Sequence, residues 1–269
     1  MAKQTGLLKY SGNLGGISHY KIKGLKGDFA RLGVGPSAEE IATSPKYKRT
    51  RENNKEFGGS AKVGKAFRLG LSDVVKSMGD RYITSRMTKI FKQINIEGVG
   101  VRGQRPFDVA ANKDKLADLE FNKDLGFNSV FNIPFAVTVD SADRNATTLV
   151  IQDANASDKI YSPVGATHFK LIHTISVISN YAYDTTSTLY EATNTANNGL
   201  SQSVDSGFIP VNGSIGSITT LANALPGAGI VLGADQTLIA TLGIEFYQEI
   251  GSDYYLFAQG NCAKVIDIF

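Results

Sequence analysis

The chain lacks tryptophan altogether and has one cysteine, three histidines and seven prolines in 269 residues. A single cysteine excludes an internal disulfide, and Cys262 sits in an apolar stretch near the C-terminus, where a small buried residue is expected rather than a nucleophile. No segment reaches the roughly 18 apolar residues that a spanning helix requires. No apolar run follows the N-terminal lysine as a secretory leader would demand. The default address is therefore cytoplasmic, with an extracellular one reachable only by a non-classical route. There is no GxSxG turn to expose a serine nucleophile. The missing tryptophan, with no paired carboxylate spacing, argues against a carbohydrate-binding or hydrolytic β-sandwich.

Several short motifs fall one requirement short of a site. Gly59–Ala66 (GSAKVGKA) nearly spells a phosphate loop, but Ala66 stands where a magnesium-holding hydroxyl belongs and no buried strand precedes it. Gly98–Gly103 (GVGVRG) has the dinucleotide glycine spacing, yet Pro106 and a charged loop follow where a helix must aim its dipole at pyrophosphate. Asp153–Asp158 (DANASD) opens like a calcium loop without the central glycine or terminal glutamate, so a turn bonding its own backbone is expected. His168 and His173 are five apart on an expected strand and point to opposite faces, which rules out one shared metal site. His173 shares a face with Phe169 and Leu171 and is expected to be a buried, hydrogen-bonded histidine. The sequons at Asn145, Asn155 and Asn212 are read as turn residues. No catalytic residue, metal or cofactor is assigned.

What is present is a strong charge asymmetry. Residues 1–106 carry 21 Lys/Arg against 8 Asp/Glu, and residues 107–269 carry 7 against 17, all within a net charge of +3. The basic part opens with three expected short strands, Gly6–Tyr10, Ile17–Ile22 and Asp28–Leu32, punctuated by Gly and Asn. Ser44-Pro45 is a helix start signal, Gly58-Gly59 is expected to break that helix, and two amphipathic helices follow, so that a helical block covers about 45–94. Residues 98–115 read as a linker or surface loop. The acidic part contains period-two runs at 131–140, 147–153, 165–181, 237–250, 253–259 and 261–269, with GFIPV and AGIVL as further short strands. The expected fold class is α+β: an N-terminal β-ribbon with a basic helical module (1–106), then an acidic antiparallel β-sandwich (107–269).

Lys48–Phe57 (KRTRENNKEF), Gly165–Phe169 (GATHF), Glu245–Gln248 (EFYQ) and the terminal YYLFAQGN run resemble an uncharacterised protein family of the Bacteroidota. The likeness covers most of the chain. It implies no activity, and no residue role comes with it.

The basic residues form rows: Lys62, Lys65 and Arg68 on one helix, Arg86, Lys89 and Lys92 on the next. Such rows bind phosphates, face solvent, or dock on an acidic surface of the same or a neighbouring molecule. The leading expectation is a non-enzymatic structural protein that self-assembles into a filament or sheath by head-to-tail charge docking and strand addition. Its expected interface comprises Arg49, Arg51, Lys62, Lys65 and Arg68 with ribbon residues Leu7, Leu8, Tyr10, Ile17 and Tyr20. Nucleic acid bound by helices 45–94 is the alternative, and no small-molecule substrate is identified.

Overall fold

A computed structural model describes residues 2–33, 35–139, 142–215 and 219–269. The fold is α+β, and the chain divides into compact units 1–51 and 52–269. The division therefore falls at residue 51, inside a helix, and not at residue 106. Helices and β-rich region belong to one unit because they share a core.

The first unit holds a four-stranded antiparallel sheet of β1 (Ala2–Gln4), β2 (Gly12–Leu14), β3 (Ile17–Lys21) and β4 (Asp28–Leu32), in the order β1-β4-β3-β2. The strand expected at Gly6–Tyr10 is instead an exposed loop. The Gln4 side chain closes it, accepting from the Tyr10 N–H (3.0 Å) and donating to the Phe29 carbonyl (3.1 Å), so bonds a ladder would supply come from one amide. A short helix α1 (Ala38–Thr43) follows, capped by Ser37, whose Oγ accepts from the Glu40 N–H.

Ser44-Pro45 opens a 3-10 turn that leads into α2 (Lys48–Gly70). The expected break at Gly58-Gly59 does not occur. A glycine in a helix costs only about 1 kcal/mol, and here it permits close packing: a Cβ on Gly59 would lie 2.5 Å from the Tyr190 ring and 2.9 Å from Phe107, whereas one on Gly58 would meet nothing within 4 Å. Then come α3 (Ser72–Met78) and α4 (Ile83–Glu97). The stretch after α4 is no linker. Phe107 and Val109 are fully buried, and Phe107 exchanges both backbone hydrogen bonds with Tyr181.

The remaining elements are α5 (Phe127–Val130), β5 (Phe135–Val139), β6 (Ala146–Ile151), α6 (Ala156–Lys159), β7 (His168–Ser179), β8 (Tyr181–Asp184), β9 (Leu189–Ala192), β10 (Ser201–Asp205), β11 (Ile209–Pro210), β12 (Thr219–Ala224), β13 (Gln236–Ile250), β14 (Asp253–Leu256) and β15 (Cys262–Ile268). Asp140, the end of the expected 131–140 run, lies outside the described residues. AGIVL forms no strand: Gly229 has φ 69°, and the Asn145 side chain donates to the Ile230 carbonyl.

Six strands form the main sheet, built on the antiparallel β7–β13 pair, with β10 and β11 beside β7 and with β14 and β15 beside β13. On one face Phe169, Leu171, Leu242, Ile244 and Phe246 pack with Leu149, Ile151 and Leu221 of the three-stranded sheet β12-β6-β5. This is the expected apolar alternation. On the other face Ile178, Ile239, Ala263 and Val265 pack with Val63, Phe67, Val74, Met78, Met87 and Phe91 of α2–α4. The unit is thus a sandwich of unequal sheets with helices over the outer face of the larger one.

Adjacent glycines should respond oppositely to the same change. Gly58→Ala is expected to raise stability by about 0.5–1 kcal/mol through helix propensity, and Gly59→Ala to lower it by about 1–3 kcal/mol through overpacking. Urea midpoints of the two variants measure the difference, and equal midpoints would contradict the close approach of Tyr190.

Candidate assembly interface

The basic rows are largely consumed within the molecule. Arg51 donates to the carbonyls of Ile41 (2.7 Å) and Ser44 (2.8 Å), fastening the end of α1 to the start of α2. Its guanidinium is a local clamp, so charge reversal there attacks this junction rather than a docking contact alone. Lys62 pairs with Glu191 on β9 at 2.6 Å, and Lys55 donates to the Tyr183 hydroxyl on β8 at 3.0 Å. Arg68 donates to the Gly64 carbonyl one turn back. Arg86 grips Asp80 and the carbonyls of Glu120 and Phe121. Arg49 lies on the exposed side of α2 and has an interaction of its own. Lys65 and Lys89 are exposed, and neither has an ion pair among the described residues.

Lys92 reaches the most buried charge among the described residues. Glu56 is 1% exposed on α2 and accepts from Arg105 through both oxygens (2.8 and 2.7 Å), from Lys92 (2.7 Å) and from the Gly103 N–H (2.8 Å). Asn95 completes the cluster, accepting from Lys92 and donating to the Arg105 carbonyl. Burial alone would raise the Glu56 pKa, but the donors from Arg105, Lys92 and Gly103 outweigh it and hold the carboxyl at about 2. This cluster fastens the 98–107 segment to α2 and α4. The sequence reading missed it, although one signal was available: Glu56 occupies the same stripe as Ser60, Val63 and Phe67.

The near-motifs resolve into structure. Residues 59–66 lie inside α2, with no loop to wrap a phosphate. Residues 98–103 follow a helix, not a strand, which removes the dinucleotide geometry. In 153–158, Ser157 donates to the side chain of Asn155, and Ser214 to that of Asp153, a turn bonding itself and a neighbouring loop. His173 is fully buried: Nδ1 donates to the Thr241 carbonyl (2.9 Å), which leaves Nε2 to accept from the Thr147 hydroxyl (2.8 Å). Desolvation pushes its pKa down, so the ring stays neutral between the two sheets. His168 lies on the opposite face, as expected from their spacing.

The ribbon residues present a different picture. Leu7 is 104% exposed and Leu8 76%; Tyr10 and Ile17 are also exposed, and Tyr20 is half-buried beside Phe29 and Arg31. Among the described residues 2–51 no apolar side chain is buried. The one buried residue there is Asp28, ion-paired with Lys9 (3.6 Å) and Lys21 (3.5 Å). β1 and β2 form the two unpaired edges of this sheet. Thus the structure gathers Leu7, Leu8, Tyr10, Ile17 and Tyr20 into one small unit, while the five basic residues meet separate partners or face solvent.

Neither protein-family models nor curated proteins match this chain, so no residue role is carried over from a relative.

The Glu56 cluster sets a pH dependence. Its folded pKa lies below the ordinary 4.5, so its stabilisation is present above about pH 4.5 and is lost as pH falls toward about 2. Glu56→Gln should cost about 3–5 kcal/mol at neutral pH, because Arg105 and Lys92 are left facing each other. It should also flatten stability over that acid window. Urea midpoints measured against pH test both, and an unchanged midpoint at pH 7 would refute the role.

Proposed function

We propose that this chain is a non-enzymatic structural protein that associates with copies of itself through its N-terminal sheet, building a filament or sheath. The observation that carries the reading is a four-stranded sheet with no buried apolar side chain among the described residues, two unpaired edges and exposed leucines in the adjoining loop. A small sheet without a core is marginal in water, and its two short edges, though only three residues each, leave backbone groups open to another chain beside exposed apolar side chains. Contacts by Leu7, Leu8, Tyr10 and Ile17, with strand addition at an edge, supply what the unit lacks. Charge docking by the helices has less support than the sequence suggested, because Arg51, Lys62, Arg86 and Lys92 already hold partners within the molecule. The same pairing weakens the nucleic-acid reading.

Full-length protein should grow in mass with concentration in light scattering, with ordered particles in electron microscopy. Because the contacts are apolar and backbone, the growth should persist at high salt, where screening removes charge docking. Leu7→Glu with Leu8→Glu should weaken association at least tenfold without changing the thermal melt of the remainder. Wild-type protein that remains monomeric at every concentration and salt would overturn the reading.

A further inference from the structure

We infer that the loop bearing Leu7 and Leu8 of one copy of this chain seats in a cleft of a second copy, a cleft whose lining is part apolar and part polar. This rests on the self-association proposed above and names its second surface. The cleft lies within residues 52–269 and has a volume of about 740 Å³, within the roughly 300–1,000 Å³ typical of sites that enclose a bound group. Leu125, Tyr161, Val164 and Phe257 contribute to its wall. Tyr161 is 77% exposed and Val164 101% exposed, so its rim offers apolar surface to a partner rather than to the chain's own core.

Charge selects the occupant. The lining includes two carboxylates, Asp80 and Asp124, and no Lys or Arg. Asp80 is taken by Arg86 and by the N–H groups of Tyr82 and Lys123, whereas Asp124 makes no ion pair among the described residues. The segment 1–10 has the opposite character: it holds no acidic residue, and Lys3, which makes no ion pair among the described residues, precedes the two leucines, while Lys9 after them is paired with Asp28. Gln4 ties both sides of the loop together, through Tyr10 and Phe29, so the leucines project from a fixed base. An apolar projection that fits a cleft elsewhere on the same molecule makes a heterologous contact, which propagates unless its rotation closes a ring. The geometry thus converts self-association into head-to-tail growth.

The test uses full-length Leu8→Glu, which spoils the projection, and Val164→Glu, which spoils the cleft. Both side chains are exposed, so thermal melts should match wild type. Each variant alone should remain monomeric at concentrations at least tenfold above the wild-type onset of assembly. An equimolar mixture retains one intact joint and should form dimers, but no polymer, by mass photometry. Val164→Glu that polymerises like wild type would overturn the cleft while leaving self-association standing. So would a mixture that stays monomeric. A Leu8→Cys/Val164→Cys chain that cross-links within a single dilute copy would overturn it as well, by showing an internal latch. Wild type that never assembles would remove the proposed function and this inference together.

Discussion

The structure of residues 52–269 depends on the antiparallel pairing of β7 with β13, in unbroken register from Ser179 opposite Gln236 to His168 opposite Tyr247. Two faces emerge from this ladder because side chains alternate. One face meets the smaller sheet and the other meets α2–α4, so the apolar clusters are built outward from the same two strands. Few polar side chains survive there without partners. His173 survives because its ring spans the layers in one neutral tautomer, between Thr147 and Thr241. Its depressed basicity follows from that placement; it is not a sign of chemistry.

The charge asymmetry of the sequence has a related explanation. Laying basic helices over a sheet drawn from the acidic part lets the two neutralise each other within one unit. Lys62 with Glu191 is such a pair, but both side chains are nearly half exposed, so solvent screening leaves it little energetic weight. Glu56 is different in kind. Its two cationic partners come from the basic part itself, it is almost fully buried, and removing any member would strand a charge in a poorly solvated place. The tightest electrostatics therefore lie within the basic part, where a count of net charge gives no hint of them.

What could be read from the sequence follows from the range of the interactions involved. The faces of β7 and β13 were legible because strand periodicity is local: Phe169, Leu171, Ile175 and Val177 alternate whatever covers them. The apolar stripes at 63–78 and 83–94 were legible for the same reason, although the first is divided at Leu71 between the end of α2 and α3 instead of lying on one helix. Gly58-Gly59 misled because the reason for glycine at 59 is Tyr190, which is remote in sequence and beyond any local window. Phe107 and Val109 were hidden in a Gly- and charge-rich stretch, and their burial depends on a backbone exchange with Tyr181. Arg51, Lys62, Arg86 and Lys92 looked like free rows because spacing reports a helix face but not what lies against it. Of the ribbon residues, Ile17 and Tyr20 lie on a strand as their alternation suggests, whereas Leu7, Leu8 and Tyr10 lie in a loop rather than on the expected strand.

The two units solve the burial problem differently, and this bears most directly on the proposed assembly. Residues 52–269 bury aromatic and aliphatic side chains on both faces of a sheet and need nothing further to exclude water. Of the described residues in 2–51 only Asp28 is buried, and an ion pair at the surface cannot offset the conformational entropy of ordering four short strands, roughly 1–2 kcal/mol for each residue fixed. The missing stabilisation has to come from surface that this unit still exposes. If association supplies it, ordering of the sheet and assembly become one linked equilibrium, because a partner that binds the ordered form alone stabilises it by mass action. The exposed leucines then act at low concentration as a cost to the isolated chain, and at high concentration as the source of the energy that joins one copy to the next.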